Sequence, residues 1–184
     1  AHRTGGWIDV VVNNAGSILA SPFEMMTASD FRAQIDLHLN AVVEMTRELA
    51  TYFRVRGRGR IVNVTSIGGK IALPHMSGYT ASKFALAGFS RAMAAELAPL
   101  NITVTTIYPG LMRTGSTIQA VFKGDHDKEF ALFSAMDLMP GFSMSAPAAA
   151  RKIVEACRQG DVEAIIGWPA KAGAFLFQNF PEIT

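Results

Sequence analysis

The sequence is nearly free of cysteine: Cys157 is the only one in 184 residues. A single cysteine excludes an internal disulfide and is typical of proteins in a reducing compartment, so we expect a cytoplasmic location. Cys157 follows Ile153 and Val154 in a helical pattern, which favours a place in the core, with a nucleophilic thiol as the alternative. The four histidines are scattered without the spacing of metal ligands, so no metal site is expected.

Long basic runs and long apolar segments are also lacking. Charged residues make up 17% of the chain, the formal net charge is +2, and the densest basic segment is GRGR at 57–60. We therefore expect no nucleic-acid binding. No uncharged apolar run approaches the roughly 18 residues of a membrane span, so no transmembrane segment is expected. Hydrophobic residues still account for 49% of the chain, which indicates one globular domain over residues 1–184 with a substantial core.

Short apolar runs alternate with longer helical patterns along the chain. The predicted strands are Ile8–Val12, Arg60–Thr65, Ile102–Tyr108 and Glu163–Ile166. The predicted helices run from a cap at Thr27 to about Arg56, with Leu37, Ala41, Met45 and Leu49 on one face, and over Ser77–Ala98 and Ser145–Gln159. Alternation of this kind predicts an α/β fold, a parallel sheet with helices on both faces.

Turn residues follow the first three predicted strands. They are Asn13 to Gly16 (NNAG), Ser66, and Pro109-Gly110. Ligands of parallel sheets bind beyond the carboxyl ends of the strands, so we expect these segments to line one site. Tyr79 and Lys83 lie one helical turn apart on the next helix, thirteen residues after Ser66. Taken alone, such a pair is equally compatible with an ordinary surface position.

The order and spacing of these segments resemble the short-chain dehydrogenase/reductase family. The segments that carry the resemblance are NNAG (13–16), LHLNAVV (37–43), IVNVTS (61–66), YTASK (79–83) and PGLMRT (109–114). The resemblance implies a three-layer Rossmann-type fold, NAD or NADP as the cofactor, and a small alcohol or carbonyl compound as the substrate. It also implies a homodimer or homotetramer.

The chemistry of an alcohol dehydrogenation explains two of these residue types. A proton must move at the substrate oxygen, and a phenol can carry it only if its pKa falls from near 10 by roughly 2–3 units, or about 3–4 kcal/mol. A cation at position i+4, Lys83, is placed to lower the pKa of Tyr79. Ser66 would hydrogen-bond the substrate oxygen. The resemblance further implies that Lys83 binds the nicotinamide ribose and that Asn40 holds a water in a proton relay.

The remaining site predictions follow from the resemblance. Predicted cofactor contacts are Asn14, Ala15, Gly16, Tyr79, Lys83, Pro109, Gly110 and Thr114. Predicted substrate contacts are Ser66, Ile67, Tyr79 and Met112.

The Met- and Phe-rich segment from Leu111 to Met144 either lines an apolar substrate pocket or packs as an ordinary lid helix. Its apolar residues include Met112, Phe122, Phe130, Phe133, Met136, Met139 and Phe142. The apolar segment 167–182 is a subunit contact, a substrate lid or a shallow membrane contact.

One family feature is missing. Only seven residues precede Ile8, whereas the family opens with a strand and a glycine-rich turn that holds the pyrophosphate. We therefore expect a partial sequence of a larger enzyme whose N-terminal βα units are absent here. The predicted function is an NAD(P)-dependent oxidoreductase that interconverts an alcohol and a ketone or aldehyde. The alternative is a non-catalytic scaffold or interaction protein that has lost cofactor binding.

Overall fold

The computed structural model describes residues 6–114, 119–125, 127–128, 130–131, 143–180 and 182. The strands are β1 (Val10–Asn13), β2 (Leu19–Ala20), β3 (Gly59–Val64), β4 (Ile102–Pro109), β5 (Met112–Arg113), β6 (Val121–Phe122), β7 (Met144–Ser145) and β8 (Glu163–Ile166). The α-helices are α1 (Ala28–Ile35), α2 (Ala41–Arg56), α3 (Ser77–Leu97), α4 (Ala146–Gln159) and α5 (Trp168–Asn179).

The central sheet has four parallel strands in the order β1-β3-β4-β8, and the short strands form two further pairs, β2-β6 and β5-β7. Alternate side chains of β3 point to opposite faces of this sheet. Ile61 packs with Phe53 of α2 and Leu97 of α3 on one face, while Val62 packs with Ala149 of α4 on the other. Helices thus cover both faces, and the predicted α/β fold class is confirmed.

The predicted long helix is interrupted by a π-helical turn. It starts as predicted: the Thr27 hydroxyl accepts from the Asp30 amide, and the Asp30 carboxylate accepts from the Thr27 amide, which forms a capping box. The turn at Asp36–Asn40 then separates α1 from α2. π-Turns are rare in proteins, but those that occur often lie at functional sites. This π-turn sets which side chain of the LHLN segment is buried.

The buried face of this long helix differs from the predicted one. Of the four residues predicted to share an apolar face, Leu49 is buried whereas Met45 is 47% exposed. The residues that are buried are Gln34, His38, Val42, Thr46, Leu49 and Phe53. Half of this face is polar, so the apolar pattern that guides a sequence-based prediction is absent from it.

The segment after β8 forms helix α5, which the sequence analysis left unassigned. It buries Ala170 and Ala174 and leaves Phe175 and Leu176 more than half exposed. A Cβ on Gly110 would lie 2.9 Å from the Ala170 Cβ, so α5 packs closely on the turn that follows β4. Within the described residues, no helix combines the length and the apolar character needed to cross a membrane.

A charge network joins β8 to the loop after β3. The Glu163 carboxylate accepts hydrogen bonds from Lys70 Nζ at 3.0 Å, from the Tyr108 hydroxyl at 2.8 Å and from Arg91 Nε. Burial raises the pKa of Glu163, but the hydrogen bonds from Arg91, Tyr108 and Lys70 outweigh it and lower the pKa to about 2. Since Lys70 is itself buried, this carboxylate is its essential counter-charge.

Glu163 should therefore make the protein sensitive to acid. Its pKa is lower in the folded state than in the unfolded state, so its stabilising effect is present above pH 4.5 and is lost as the pH falls toward 2. Urea denaturation between pH 6 and pH 2.5 should show Glu163 contributing about 1–2 kcal/mol to this loss, a value reduced for solvent screening. Glu163→Gln should flatten the profile, and Glu155→Gln at an exposed position of α4 should not. An unchanged slope in Glu163→Gln would contradict the assignment.

Gly59 should be intolerant of any side chain. A Cβ there would lie 2.1 Å from Cγ of Phe53, which is fully buried beneath β3. Gly59→Ala should therefore cost about 1–3 kcal/mol of unfolding free energy, measured by urea denaturation. Gly88→Ala is the matched control, because a Cβ at this exposed position of α3 meets no atom within 4 Å and alanine favours helix by up to about 1 kcal/mol. Equal midpoints for the two variants would refute this packing argument.

Candidate active site

The carboxyl ends of β1, β3 and β4 open into one cleft of about 380 Å³. Its lining contains most of the predicted site residues: Asn14, Gly16, Ser66, Ile67, Tyr79, Lys83, Pro109, Gly110, Met112 and Thr114. Of the predicted set, Ala15 and Asn40 do not line it. Leu111, the first residue of the predicted apolar segment, also lines it, together with the apolar side chains Ile18, Val64, Leu73 and Met76.

Two asparagines, of which Asn63 is buried, fix the strand ends relative to α3. Asn13 and Asn63 are register partners on β1 and β3, and Asn13 Nδ2 donates to Asn63 Oδ1 at 2.7 Å. Asn63 Nδ2 in turn donates to Ser90 Oγ of α3 at 2.6 Å. These bonds satisfy the buried Asn63 amide and tie the start of the NNAG segment to the helix that carries Tyr79 and Lys83.

Ser66 caps a short 3₁₀ turn at the end of β3. Its Oγ accepts from the Gly68 amide at 3.1 Å, and the turn covers Ile67–Gly69. A Cβ on Gly69 would lie 2.9 Å from the backbone oxygen of Lys83, so only glycine lets this loop approach α3 so closely. The turn thereby brings Ser66 close to Tyr79: a Cβ on Gly68 would lie 3.1 Å from Tyr79 Cε1 and 3.5 Å from Ser66 Oγ.

Tyr79 and Lys83 are both buried on α3, at 8% and 4% exposure. The Lys83 ammonium lies 5.6 Å from the Tyr79 ring centroid and donates to the Val64 carbonyl at 3.4 Å. Burial lowers the pKa of Lys83 to about 8. Burial also raises the pKa of Tyr79, and the hydrogen bond with Ser66 acts in the opposite direction. The pKa of Tyr79 is therefore raised, whereas the sequence predicted that Lys83 would lower it.

The structure does not place Asn40 in the site. Asn40 is exposed, and its Nδ2 donates to Asp36 Oδ1 at 2.6 Å on the outer side of the helix. The prediction that Asn40 belongs to a proton relay is therefore wrong for this structure. The physical reason is helical geometry: two residues along a helix correspond to about half a turn, so burial of His38 directs Asn40 away from the cleft.

His38 is the main residue that the sequence analysis missed. It is 1% exposed, its Nε2 accepts from the Ser17 amide at 3.2 Å, and its Nδ1 bonds Ser82 Oγ at 2.7 Å. Its ring stands edge-on to the Tyr79 ring, with the centroids 5.5 Å apart. Burial, followed by the charge of Lys83, lowers the pKa of His38 to about 3. The one sequence signal for the burial of His38 was its spacing: it lies one helical turn after Gln34 and one turn before Val42.

Part of the predicted apolar pocket lies outside the described residues. Phe133, Met136, Met139 and Phe142 belong to the undescribed range 132–142, so the choice between pocket wall and lid packing stays open for them. Met112 does line the cleft. Phe122 and Phe130 stack edge to face, with their centroids 5.7 Å apart.

The sequence and the fold match those of known proteins. The short chain dehydrogenase family model matches residues 1–123, which include the NNAG, IVNVTS and YTASK segments. The chain belongs to the short-chain dehydrogenase family. The family resemblance inferred from the sequence motifs is thereby confirmed.

Individual relatives agree with the family assignment. A 3-ketodihydrosphingosine reductase from Bacteroides thetaiotaomicron is 38% identical over 112 residues, which cover 61% of this chain and 42% of that relative. A short-chain dehydrogenase from Streptomyces avermitilis superposes with a TM-score of 0.76 at 28% identity, covering 99% of this chain and 68% of that one. A 4-hydroxyisoleucine dehydrogenase mutant complexed with NADH and succinate gives a TM-score of 0.70 at 26% identity, covering 86% and 66%. The chain thus spans less than half the length of the curated relative.

The short-chain dehydrogenase family uses NAD or NADP, and the cleft has the chemistry to hold the nicotinamide end of either. Among the described residues, Lys83 Nζ donates only to Val64, at the long distance of 3.4 Å. It therefore has further N–H donors for ribose hydroxyls. A Cβ on Gly16 would lie 3.6 Å from Lys83 Nζ, so the bare glycine keeps the approach to this ammonium open. The site fits the nicotinamide ribose.

The pKa of Tyr79 should respond to Ser66. Because the hydrogen bond with Ser66 lowers that pKa while burial raises it, Ser66→Ala should raise the pKa further. Carbon-13 NMR of the labelled Tyr79 ring, titrated from pH 7 to pH 12 without cofactor, measures it. Ser77→Ala is the matched control, since that hydroxyl donates to the Met26 sulfur. A lower Tyr79 pKa in Ser66→Ala would refute the contact.

Proposed function

We propose that the protein is an NAD(P)-dependent oxidoreductase that interconverts an alcohol and a ketone or aldehyde, with Tyr79 as the general acid/base. The observation that carries the proposal is the convergence of Ser66, Tyr79 and Lys83 in one cleft whose lining also includes Gly16 and Thr114. The family assignment and relatives named as reductases and dehydrogenases support it.

When bound, the nicotinamide supplies or accepts the hydride. In the direction of reduction, Tyr79 donates its phenolic proton to the carbonyl oxygen as the hydride reaches the carbonyl carbon, and the product is an alcohol. Ser66 donates a hydrogen bond to the same oxygen and stabilises the charge that develops there. Lys83 holds the ribose and offsets the negative charge left on the Tyr79 oxygen. In the direction of oxidation the same groups act in reverse.

The cleft further supports a substrate with apolar substituents. Leu73, Met76 and Met112 line the cleft, and Lys83 is the one charged side chain among the described lining residues. A substrate carboxylate would therefore find no arginine among the described lining residues to pair with. The name of the relative that reduces 3-ketodihydrosphingosine is consistent with an apolar ketone.

Tyr79→Phe tests the chemical step. It removes the transferable proton but keeps the ring, so turnover should fall at least about 1,000-fold while the dissociation constant for NADH or NADPH changes less than about threefold. NADPH or NADH oxidation with a panel of apolar ketones measures turnover, and fluorescence titration measures binding. Tyr52→Phe is the matched control, because the Tyr52 hydroxyl lies on α2 and accepts from the Ile8 amide.

Two outcomes would contradict the proposal. Retained turnover in Tyr79→Phe would remove this tyrosine from the chemical step. A wild-type protein that binds neither dinucleotide nor ketone would instead favour the alternative of a non-catalytic scaffold that kept the fold.

A further inference from the structure

His38 connects the two halves of the cleft. On one side it contacts Ser17, the residue directly after the NNAG segment; on the other it contacts Ser82, which lies between Tyr79 and Lys83 on α3. The imidazole is carried by the π-turn Asp36–Asn40. No role in the proposed proton transfer uses this side chain, although it is almost fully buried.

The hydrogen bonds define the tautomer. A backbone N–H can only donate, so Nε2 must accept from Ser17 and carries no proton. The proton of the neutral ring therefore lies on Nδ1 and is donated to Ser82 Oγ at 2.7 Å. The Ser82 hydroxyl then donates to the backbone carbonyl of Tyr79 at 2.7 Å. Each bond runs in the same direction, from the Ser17 amide through His38 and Ser82 to the backbone of Tyr79.

Charge at His38 would disrupt this arrangement. A proton on Nε2 would remove the acceptor of the Ser17 amide and leave that N–H without its bond. It would also place a second cation beside the buried Lys83 ammonium, because a Cβ on Gly16 would touch both groups, at 3.3 Å from Nε2 and 3.6 Å from Lys83 Nζ. The strongly lowered pKa of His38 agrees with this geometry.

Ser17 is held at a second point by Gln34, so variants can separate the effect of the His38 bond from the effect of the Gln34 bond. Gln34 Nε2 donates to Ser17 Oγ at 3.0 Å, whereas His38 binds the Ser17 amide. The side-chain and backbone contacts of Ser17 therefore come from two different side chains, Gln34 on α1 and His38 on the π-turn that follows α1. Removing the Ser17 hydroxyl leaves the His38 bond intact.

We infer that His38 is a positioning residue that, as a neutral imidazole protonated on Nδ1, fixes the backbone after the NNAG segment relative to Tyr79 and Lys83. Its place beside the cofactor-facing segment rests on the proposed function. The inference assigns it no proton transfer: both ring nitrogens are already occupied, one by an amide donor and one by a serine acceptor.

Nitrogen-15 NMR of the wild-type imidazole at pH 7 is the first test and needs no variant. His38 should show an unprotonated Nε2 and a protonated Nδ1. The opposite tautomer, or a doubly protonated ring, would overturn the inference whatever the variants do.

Two isosteric variants separate the two bonds. The shorter amide of His38→Asn reaches the place of Nδ1 and keeps the donor to Ser82, but it loses the acceptor for Ser17. The longer amide of His38→Gln reaches the place of Nε2 and keeps that acceptor. Hydrogen exchange of the Ser17 amide should be at least about fivefold faster in His38→Asn and near the wild-type rate in His38→Gln.

Ser17→Ala is the matched control for the exchange experiment. It removes the bond from Gln34 but keeps the backbone amide, so its residue-17 amide should stay protected. Unchanged protection in His38→Asn, or equal loss in both His38 variants, would overturn the inference.

Dinucleotide binding tests the link to the proposed function. The dissociation constant for NADH or NADPH, from fluorescence titration, should rise about fivefold in His38→Asn and less than about twofold in His38→Gln. Equal affinities in the two variants would show that this contact does not position the cofactor-facing segment. If the wild type binds neither dinucleotide, the proposed function fails, and the exchange and tautomer results still decide the role of His38.

Discussion

Burial of the Lys83 ammonium is the constraint on which the rest of the cleft depends. A shift of its pKa from 10.5 to about 8 corresponds to about 3 kcal/mol of lost hydration that its surroundings do not replace. A further cation nearby would lower the pKa of Lys83 again and so disfavour its charged form. The surroundings are arranged accordingly: a glycine faces the ammonium, a strand-end carbonyl accepts from it, and the adjacent imidazole is neutral.

Burial of Lys83 has a second consequence: the backbone of α3 must lie close to the loop that follows β3. Lys83 can reach the ends of β1 and β3 only if α3 lies against the loop that follows β3, and Gly69 allows this because a Cβ would lie 2.9 Å from the Lys83 backbone oxygen. Further along the helix, the hydrogen bond from Asn63 to Ser90 also ties α3 to β3. Lys70, the next residue in that loop, is fixed by Glu163 of β8. Packing, hydrogen bonds and charge therefore hold the same loop in one place.

Much of this arrangement could be predicted from the sequence because strand ends and helix spacing are local signals. The apolar runs place β3, β4 and β8 to within about a residue, and the spacing of Tyr79 and Lys83 places them on one helix face. The prediction of the buried face of the long helix was wrong for the opposite reason: the signal for it is not local. Its buried face includes Gln34, His38 and Thr46, and the His38 ring is buried against two tertiary partners that satisfy its nitrogens, Ser17 and Ser82. Those partners are distant in sequence, so no local pattern chooses His38 over Asn40.

Under the proposed function, the pKa shifts in the cleft favour one starting point for the chemistry. Burial raises the pKa of Tyr79 and keeps it a phenol at neutral pH, while Lys83, with a pKa of about 8, stays charged. A phenol is the form that would protonate a carbonyl oxygen. Oxidation of an alcohol requires the phenolate instead, and burial opposes its formation. An added positive charge in the cleft would favour it, and the oxidised nicotinamide ring carries such a charge, whereas the reduced ring does not. The low dielectric that disfavours the free phenolate would also strengthen that attraction.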